Sequence, residues 1–352
     1  MNSEVLPHAG AVAATSARIA GAADVATLAA CATEARDMAV ALHQEEAGAA
    51  LVTGVLSRLN DAIVVRLLDL LALRFRLPPT RWCWLGLGSE GRLEQTLTTD
   101  QDNGLVFSAS DDGEARRLRE LFLPFAREAN QALAECGFPL CDGEVMAGNP
   151  RWCLSQSEWL EGFTAWVRTP EPEALLNAAI FFDFRPLAGA GELAAELRRS
   201  LTELTRGNEI FLRMMIVNAL AAQPPLGRLR DFAIGPEAGG SIDLKKFGSR
   251  IFVDAARILA LGAGMAATGT ADRLCAVGGA GVVSAADAEA WIHAFHAVQG
   301  VRLAAQATGE GRSGNLVDPS RLNDFDRRVL LEALRQARTM QQLLRSRYHI
   351  ET

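Results

Sequence analysis

Gly86-Leu-Gly-Ser-Glu-Gly-Arg-Leu-Glu-Gln-Thr-Leu-Thr-Thr-Asp-Gln-Asp-Asn-Gly-Leu-Val-Phe107 is the stretch that decides how this chain is read. It follows Arg81-Trp-Cys-Trp-Leu-Gly-Leu87, a short aromatic and apolar segment with the length of a strand. Ser89 to Leu97 reads as a short helix, and Asn103 to Phe107 as a second strand. Gly88 and Ser89 then fall between a strand and a helix, where unpaired backbone N–H groups and a hydroxyl suit a phosphate. Asp100 and Asp102 alternate, so on a strand both carboxylates project from one face. Two such charges repel each other unless a divalent cation neutralises them. Mg2+ takes oxygen ligands, commonly one or two carboxylates together with substrate phosphates. The ten residues between Ser89 and Asp100 allow one short helix and a turn that return the chain beside Gly88-Ser89. The plainer reading of the same aspartates is a solvated turn, with Asn103-Gly104 closing a hairpin.

Working outward, helices dominate. Apolar residues recur at helical spacing from Asp24 to Glu46 and from Ala49 to Phe75, where Leu51, Val55, Leu59, Ile63, Leu67 and Leu71 follow at intervals of four. Leu77-Pro78-Pro79 stops that second helix. Asp112 to Cys136 reads as an amphipathic helix and Phe138 to Ala147 as a third strand. Ala179 to Arg185 is aromatic, short and halted by Pro186, and it reads as a further strand with Asp183 and Arg185 on one face. Gly262 to Gly281 is a close helix contact or a loop, and Ser320 to Tyr348 a long closing helix. The expected fold is α+β and mostly helical, with a small mixed sheet. Three parts follow: a helical region 1–76, a mixed-sheet domain 77–155 (extended if the 179–186 strand joins its sheet), and a helical domain 156–352.

Composition narrows the function classes. The 352 residues carry 35 Lys+Arg against 42 Asp+Glu, a net charge of -7, with 49% hydrophobic residues, which is globular rather than disordered. An acidic balance argues against non-specific nucleic-acid binding. A single Tyr and 6% aromatic residues argue against a base-stacking surface. Six scattered cysteines without a C-x-x-C pair read as reduced, mostly buried hydrophobes. The N-terminal MNSEVLPHAGAVAATSARIAG lacks a basic region before its apolar stretch, a poor secretory signal. The run Met214 to Gly227 is too short for a membrane span and contains Pro224-Pro225. A cytoplasmic location without membrane contact is expected.

Gly-Ser followed by ten residues and D-x-D resembles the signature of the DNA polymerase β superfamily of nucleotidyltransferases. The fuller string G-S-E-G-R-x-E-x-T-x-x-x-D-x-D is similar to the subgroup of PII uridylyltransferases and glutamine synthetase adenylyltransferases. TTDQDNGLV further resembles the nucleotidyltransferase domain that bacterial signalling proteins carry behind cyclic-nucleotide-binding and CBS modules. GEVMAGNPRW, FFDFRPLAG, NALAAQPPLGRLRDF, SIDLKKFGSRIFVDAARILAL and the RLAAQ segment look like that family's C-terminal substrate-binding domain. The resemblance runs from about Ser57 to the C-terminus.

It implies transfer of a nucleoside monophosphate from UTP or ATP to an acceptor hydroxyl, by analogy a protein tyrosine. Asp100 and Asp102 would hold two Mg2+ ions, with Gly88 and Ser89 at the terminal phosphates. Arg92 would reach the same anions with Glu94 as its anchor, and Lys245 would meet the nucleotide unless it belongs to a solvated basic pair. A third carboxylate is usual in the superfamily. Asp183, in D-x-R-P-x-x-G, is the favoured residue and Glu144 competes with it; the plainer reading of Asp183 is a buried structural carboxylate paired with Arg185 or another base. Only about 75 residues precede the motif, too few for both regulatory modules of the signalling relatives. The five dispersed histidines form no hydrolytic cluster. Regulation or reversal would then come from a separate polypeptide, and the N-terminal helices would dimerise or dock a regulator. A nucleotide-sensing module that does not transfer, and transfer to a small molecule, are the other function classes.

Overall fold

The computed structural model describes residues 9–227, 231–233, 240–309 and 314–350. The start of the N-terminal stretch read against a secretory signal lies outside these residues, as does Arg228-Leu229-Arg230 of the PPLGRLRDF segment. The chain forms two compact units. One runs through Gly162 and adds Ile180–Arg198, and the other comprises Phe163–Ala179 and the chain from Arg199 onward.

In the first unit, α1 (Ala9–Gly21), α2 (Val25–Gln44) and α3 (Ala49–Phe75) precede the sheet. Asp24 caps α2 by accepting from the Thr27 N–H at 2.8 Å, which satisfies one of its unpaired N–H groups. Val52, Val55, Leu59, Ile63, Leu67 and Leu71 bury one face of α3, and Arg76 ends it in the left-handed region (φ 48°) before Pro78-Pro79. The sheet elements follow: β1 (Trp82–Gly86), the single turn α4 (Gly88–Gly91), β2 (Asn103–Phe107), α5 (Asp112–Glu135) and β3 (Cys153–Ser155). Next come α6 (Gln156–Arg168), α7 (Pro172–Phe181), β4 (Arg185–Gly189) and α8 (Gly191–Thr205), the three helices contributing to both units.

Strand order is β3-β2-β1-β4. β1 is antiparallel to both β2 and β4, and β3 runs parallel to β2. The register sets Gly86 opposite Asn103 on one side and Arg185 on the other, so three segments meet at one end of β1. Aromatic packing holds α5 to the sheet: Phe122 stacks on Phe107 at 5.3 Å, and Phe125 meets the Trp82 ring edge-on at 5.6 Å. Trp159 of α6 donates its indole N–H to the Leu105 carbonyl at 3.1 Å.

The mostly helical α+β class with a small mixed sheet is what the structure shows, but four local expectations are corrected. The Ser89–Leu97 helix is only the turn α4. Leu93 leaves it in the left-handed region (φ 58°), and α3 captures the continuation: the Gln95 N–H donates to Ser57 Oγ at 3.2 Å and Asn60 donates to Gln95 Oε1 at 3.1 Å. Asp100 and Asp102 precede β2 instead of lying on it. Phe138–Ala147 contains no strand. Gly137, Pro139 and a left-handed Glu144 (φ 54°) break a ladder there, and its carbonyls serve the loop beside it instead, Pro139 O accepting from Gln101 N and Val145 O from Asn103 N. Ala179–Phe181 completes helix α7, and the strand starts at Arg185. Pro186 is tolerated because β4 is a sheet edge.

The second unit is helical: α9 (Glu209–Ala219), β5 (Ile242–Asp243), a π-helical turn Lys245–Ser249, α10 (Arg250–Gly262), α11 (Thr270–Gly279), α12 (Ala285–Ala307), β6 (Leu316–Val317) and α13 (Asp324–Arg347). Residues Ile251 to Leu261 of α10 are all buried, the mark of a central helix. Buried Arg257 donates to Asp254 Oδ1 at 2.6 Å, and buried Arg302 to Asn315 Oδ1 at 2.9 Å. Gly262–Gly281 resolves into a connection followed by α11. Among the described residues no helix is long and apolar enough to cross a membrane.

Candidate active site

The end of β1 delivers the Gly-Ser turn to the aspartate loop. The Leu87 N–H donates to the Asp102 carbonyl at 2.9 Å, so the two segments run side by side past the last ladder pair. Gly88 takes φ 52°, and a Cβ there would stand 2.8 Å from Asp102 Oδ2. The absence of a side chain at Gly88 is therefore what lets the carboxylate lie against the turn. The structure thus brings Leu87 and Gly88 to Asp102, with Ser89 the next residue along the turn.

A buried amide network fixes the aspartate loop. Gln101, between the two aspartates, points inward and donates to the Asn130 and Phe138 carbonyls at 2.9 and 2.8 Å. Asn130 Nδ2 donates in return to Gln101 Oε1 (2.8 Å) and Asn103 Oδ1 (3.0 Å), while its own Oδ1 accepts from the Gly148 N–H at 2.8 Å. Every amide of this network has partners, so it rigidifies the loop. With Gln101 and Asn103 turned in, Asp100 and Asp102 keep access to solvent.

Cys141 closes the other side, its thiol donating to Asp102 Oδ1 at 3.5 Å. The ligand atoms of Asp100, Asp102 and Cys141 all lie within 4.8 Å of one another. Burial raises the Cys141 pKa against the pull of the Val145 N–H, and the Asp102 charge adds to the rise.

Asp183 sits differently. It is 0% exposed and accepts from Arg92 Nη1 at 2.7 Å, while Arg92 Nε donates to Glu94 Oε2 at 2.7 Å. Arg198 holds the segment from beneath, donating to the Phe182 and Phe184 carbonyls at 2.9 and 2.8 Å. A Cβ at Gly91 would stand 1.7 Å from the Asp183 carbonyl oxygen, so α4 lies directly on this segment. Glu144 is exposed on its loop, and Lys245 is exposed in the second unit.

Sequence reasoning missed several residues. Glu90 is buried, and burial first, then the Asp61 charge, pushes its carboxyl pKa up to about 8. It therefore keeps its proton at neutral pH. Arg185 binds α3 to α4, donating to Asp61 Oδ1 at 2.9 Å and to the Glu90 carbonyl at 3.0 Å. The second glycine of G-S-E-G was a signal for close approach. Nothing in the string marks Glu90 as buried or places Cys141 beside Asp102.

Residues 33–173 match the family model described as "Putative nucleotidyltransferase DUF294", and residues 209–348 the one described as "Putative nucleotidyltransferase substrate binding domain". The chain belongs to this nucleotidyltransferase family. No curated protein matches it. A nucleotidyltransferase calls for a divalent cation, and the donor set fits one. Asp100 and Asp102 offer hard carboxylate oxygens with solvent access, and the glycine at position 88 lets the Asp102 carboxylate lie against the turn.

Proposed function

We propose that this protein transfers a nucleoside monophosphate from UTP or ATP to a hydroxyl on a protein acceptor, in a Mg2+-dependent signalling reaction. The observation that carries the reading is the Gly88 turn lying against the Asp102 carboxylate, which would bring a triphosphate and a carboxylate-bound cation together. In this reading Asp100 and Asp102 hold the metal, and Gly88 and Ser89 receive the terminal phosphates. Bound there, two Mg2+ ions supply charge neutralisation on the triphosphate and on the attacking oxygen. The acceptor oxygen forms a bond to the α-phosphorus, and the bond from that phosphorus to the bridging oxygen breaks. The electron pair leaves on pyrophosphate, and the hydroxyl proton passes to solvent.

Asp183 and Arg92 act in this proposal as a pair. The guanidinium, clamped by Asp183 and Glu94, is a fixed positive charge one turn from Ser89. Asp183 thus serves the reaction through Arg92. A separate regulatory protein supplies control.

The test uses each NTP labelled on the α-phosphate, with Mg2+ and extract of the native host. Label appearing on a macromolecule with the wild type but not with the Asp100→Ala/Asp102→Ala variant supports transfer and identifies the base. The engagement of Asp183 by Arg92 favours a second reading, an NTP-binding sensor without transfer. Nucleotide binding by calorimetry with neither label transfer nor pyrophosphate release selects it.

A further inference from the structure

Cys141 belongs to no step of the reaction above, yet its sulfur stands against the carboxylate that the reaction needs most. It reaches the site from a different segment than the aspartates, the Gly137–Gly148 loop that replaces the expected strand. That loop is tied to the aspartate loop by the Gln101-to-Pro139 and Asn103-to-Val145 backbone bonds and by the Ala147 N–H donating to Asn103 Oδ1 at 2.8 Å. The thiol is therefore held in place, with Sγ 3.5 Å from Asp102 Oδ1 and all three ligand atoms within 4.8 Å. Asp102 is enclosed on its other side by the bare backbone of Gly88.

The chemistry of the three donors divides cations into two classes. Mg2+ is a hard ion that uses the carboxylates and leaves sulfur aside. Zn2+ and Cd2+ bind thiolate and carboxylate together, and three protein ligands with an open position is an ordinary zinc arrangement. We infer that Asp100, Asp102 and Cys141 form a binding site for a thiophilic divalent cation, which occupies the acidic pair in competition with Mg2+ and so switches the site off. This rests on the reading of Asp100 and Asp102 as cation ligands. Binding converts Cys141–SH and M2+ into a metal–sulfur bond, and the thiol proton leaves to buffer without any change of oxidation state.

The full-length protein is titrated with Cd2+ while the ultraviolet thiolate-to-cadmium charge-transfer absorption is followed, and Mn2+ binding is read separately by its paramagnetic resonance signal. Cys275, the exposed cysteine, is controlled by Cys275→Ser. The expected result is a saturable band in the wild type and in Cys275→Ser that Cys141→Ser abolishes. The ratio of Cd2+ to Mn2+ affinity should fall about 10-fold or more in Cys141→Ser, since losing a direct ligand costs at least as much as losing an outer partner. Asp102→Asn should weaken both cations. A band that survives Cys141→Ser overturns the inference, as does a wild type that binds Mn2+ but shows no cadmium band; either leaves the acidic pair standing. A wild type that binds neither cation overturns this inference and the cation reading of Asp100 and Asp102 together.

Discussion

The loop carrying Asp102 and the segment carrying Asp183 place the same side chain in opposite circumstances. Asp102 precedes β2 with access to solvent, touched by a thiol and faced by a glycine. Asp183 precedes β4, fully buried, with Arg92 on its carboxylate and Arg198 on the carbonyls either side. A carboxylate with access to solvent is suited to binding an ion that arrives from it. A buried carboxylate already neutralised by a half-buried guanidinium is suited to holding something else still. In the proposed function this difference gives binding to the first and positioning to the second.

The largest expected effect is on the binding side. Asp102→Asn should reduce transfer to background while thermal unfolding stays close to that of the wild type, because the side chain is not part of the core. A comparable loss of stability would place Asp102 with Asp183 and break the contrast. On the positioning side, Asp183→Ala takes from Arg92 the buried one of its two carboxylates, which costs about 1–3 kcal/mol. Denaturant unfolding should show that loss, and an unchanged midpoint would mean that Glu94 alone holds Arg92.

Gly91→Ala probes the same segment from the backbone. With a Cβ placed 1.7 Å from the Asp183 carbonyl oxygen, the chain must shift, and the upper end of the ~1–3 kcal/mol range for overpacking is expected. Gly21→Ala, where nothing lies within 4 Å, is the control that should move little. Equal effects at the two glycines would contradict the close approach of α4.

Glu90 gives the sharpest pH signature. Its folded pKa of about 8 lies above the ordinary 4.5, so between those values the folded chain holds a proton that the unfolded chain has lost. Stability therefore falls as pH rises through that window. Glu90→Gln cannot ionise and should remove a slope of about 1.4 kcal/mol per pH unit. Parallel stability curves for wild type and variant from pH 4.5 to 8 would count against a buried, protonated Glu90.

Much of this contrast was legible in the sequence, and unevenly so. The approach of Gly88 to Asp102 was readable from the ten-residue spacing between Ser89 and Asp100, which allows one turn to bring the chain back. The strands of β1 and β2 followed from apolar length, and α3 from its four-residue stripe. What failed was decided by tertiary partners. Gln95 looked helical until Ser57 and Asn60 of α3 took its backbone and side chain. Phe138–Ala147 looked like a strand, but its carbonyls serve Gln101 and Asn103, side by side with a ladder they never join. The role of Asp183 depended on where Arg92 points, and no local pattern encodes that.

The most direct test of the account is Mn2+ titration followed by paramagnetic resonance, with and without a non-hydrolysable NTP analogue. The wild type should bind Mn2+ more tightly when the analogue is present, and Asp100→Asn/Asp102→Asn should lose that binding while remaining folded. Undiminished Mn2+ and nucleotide binding in the double variant would contradict the assignment of the cation to the aspartate pair.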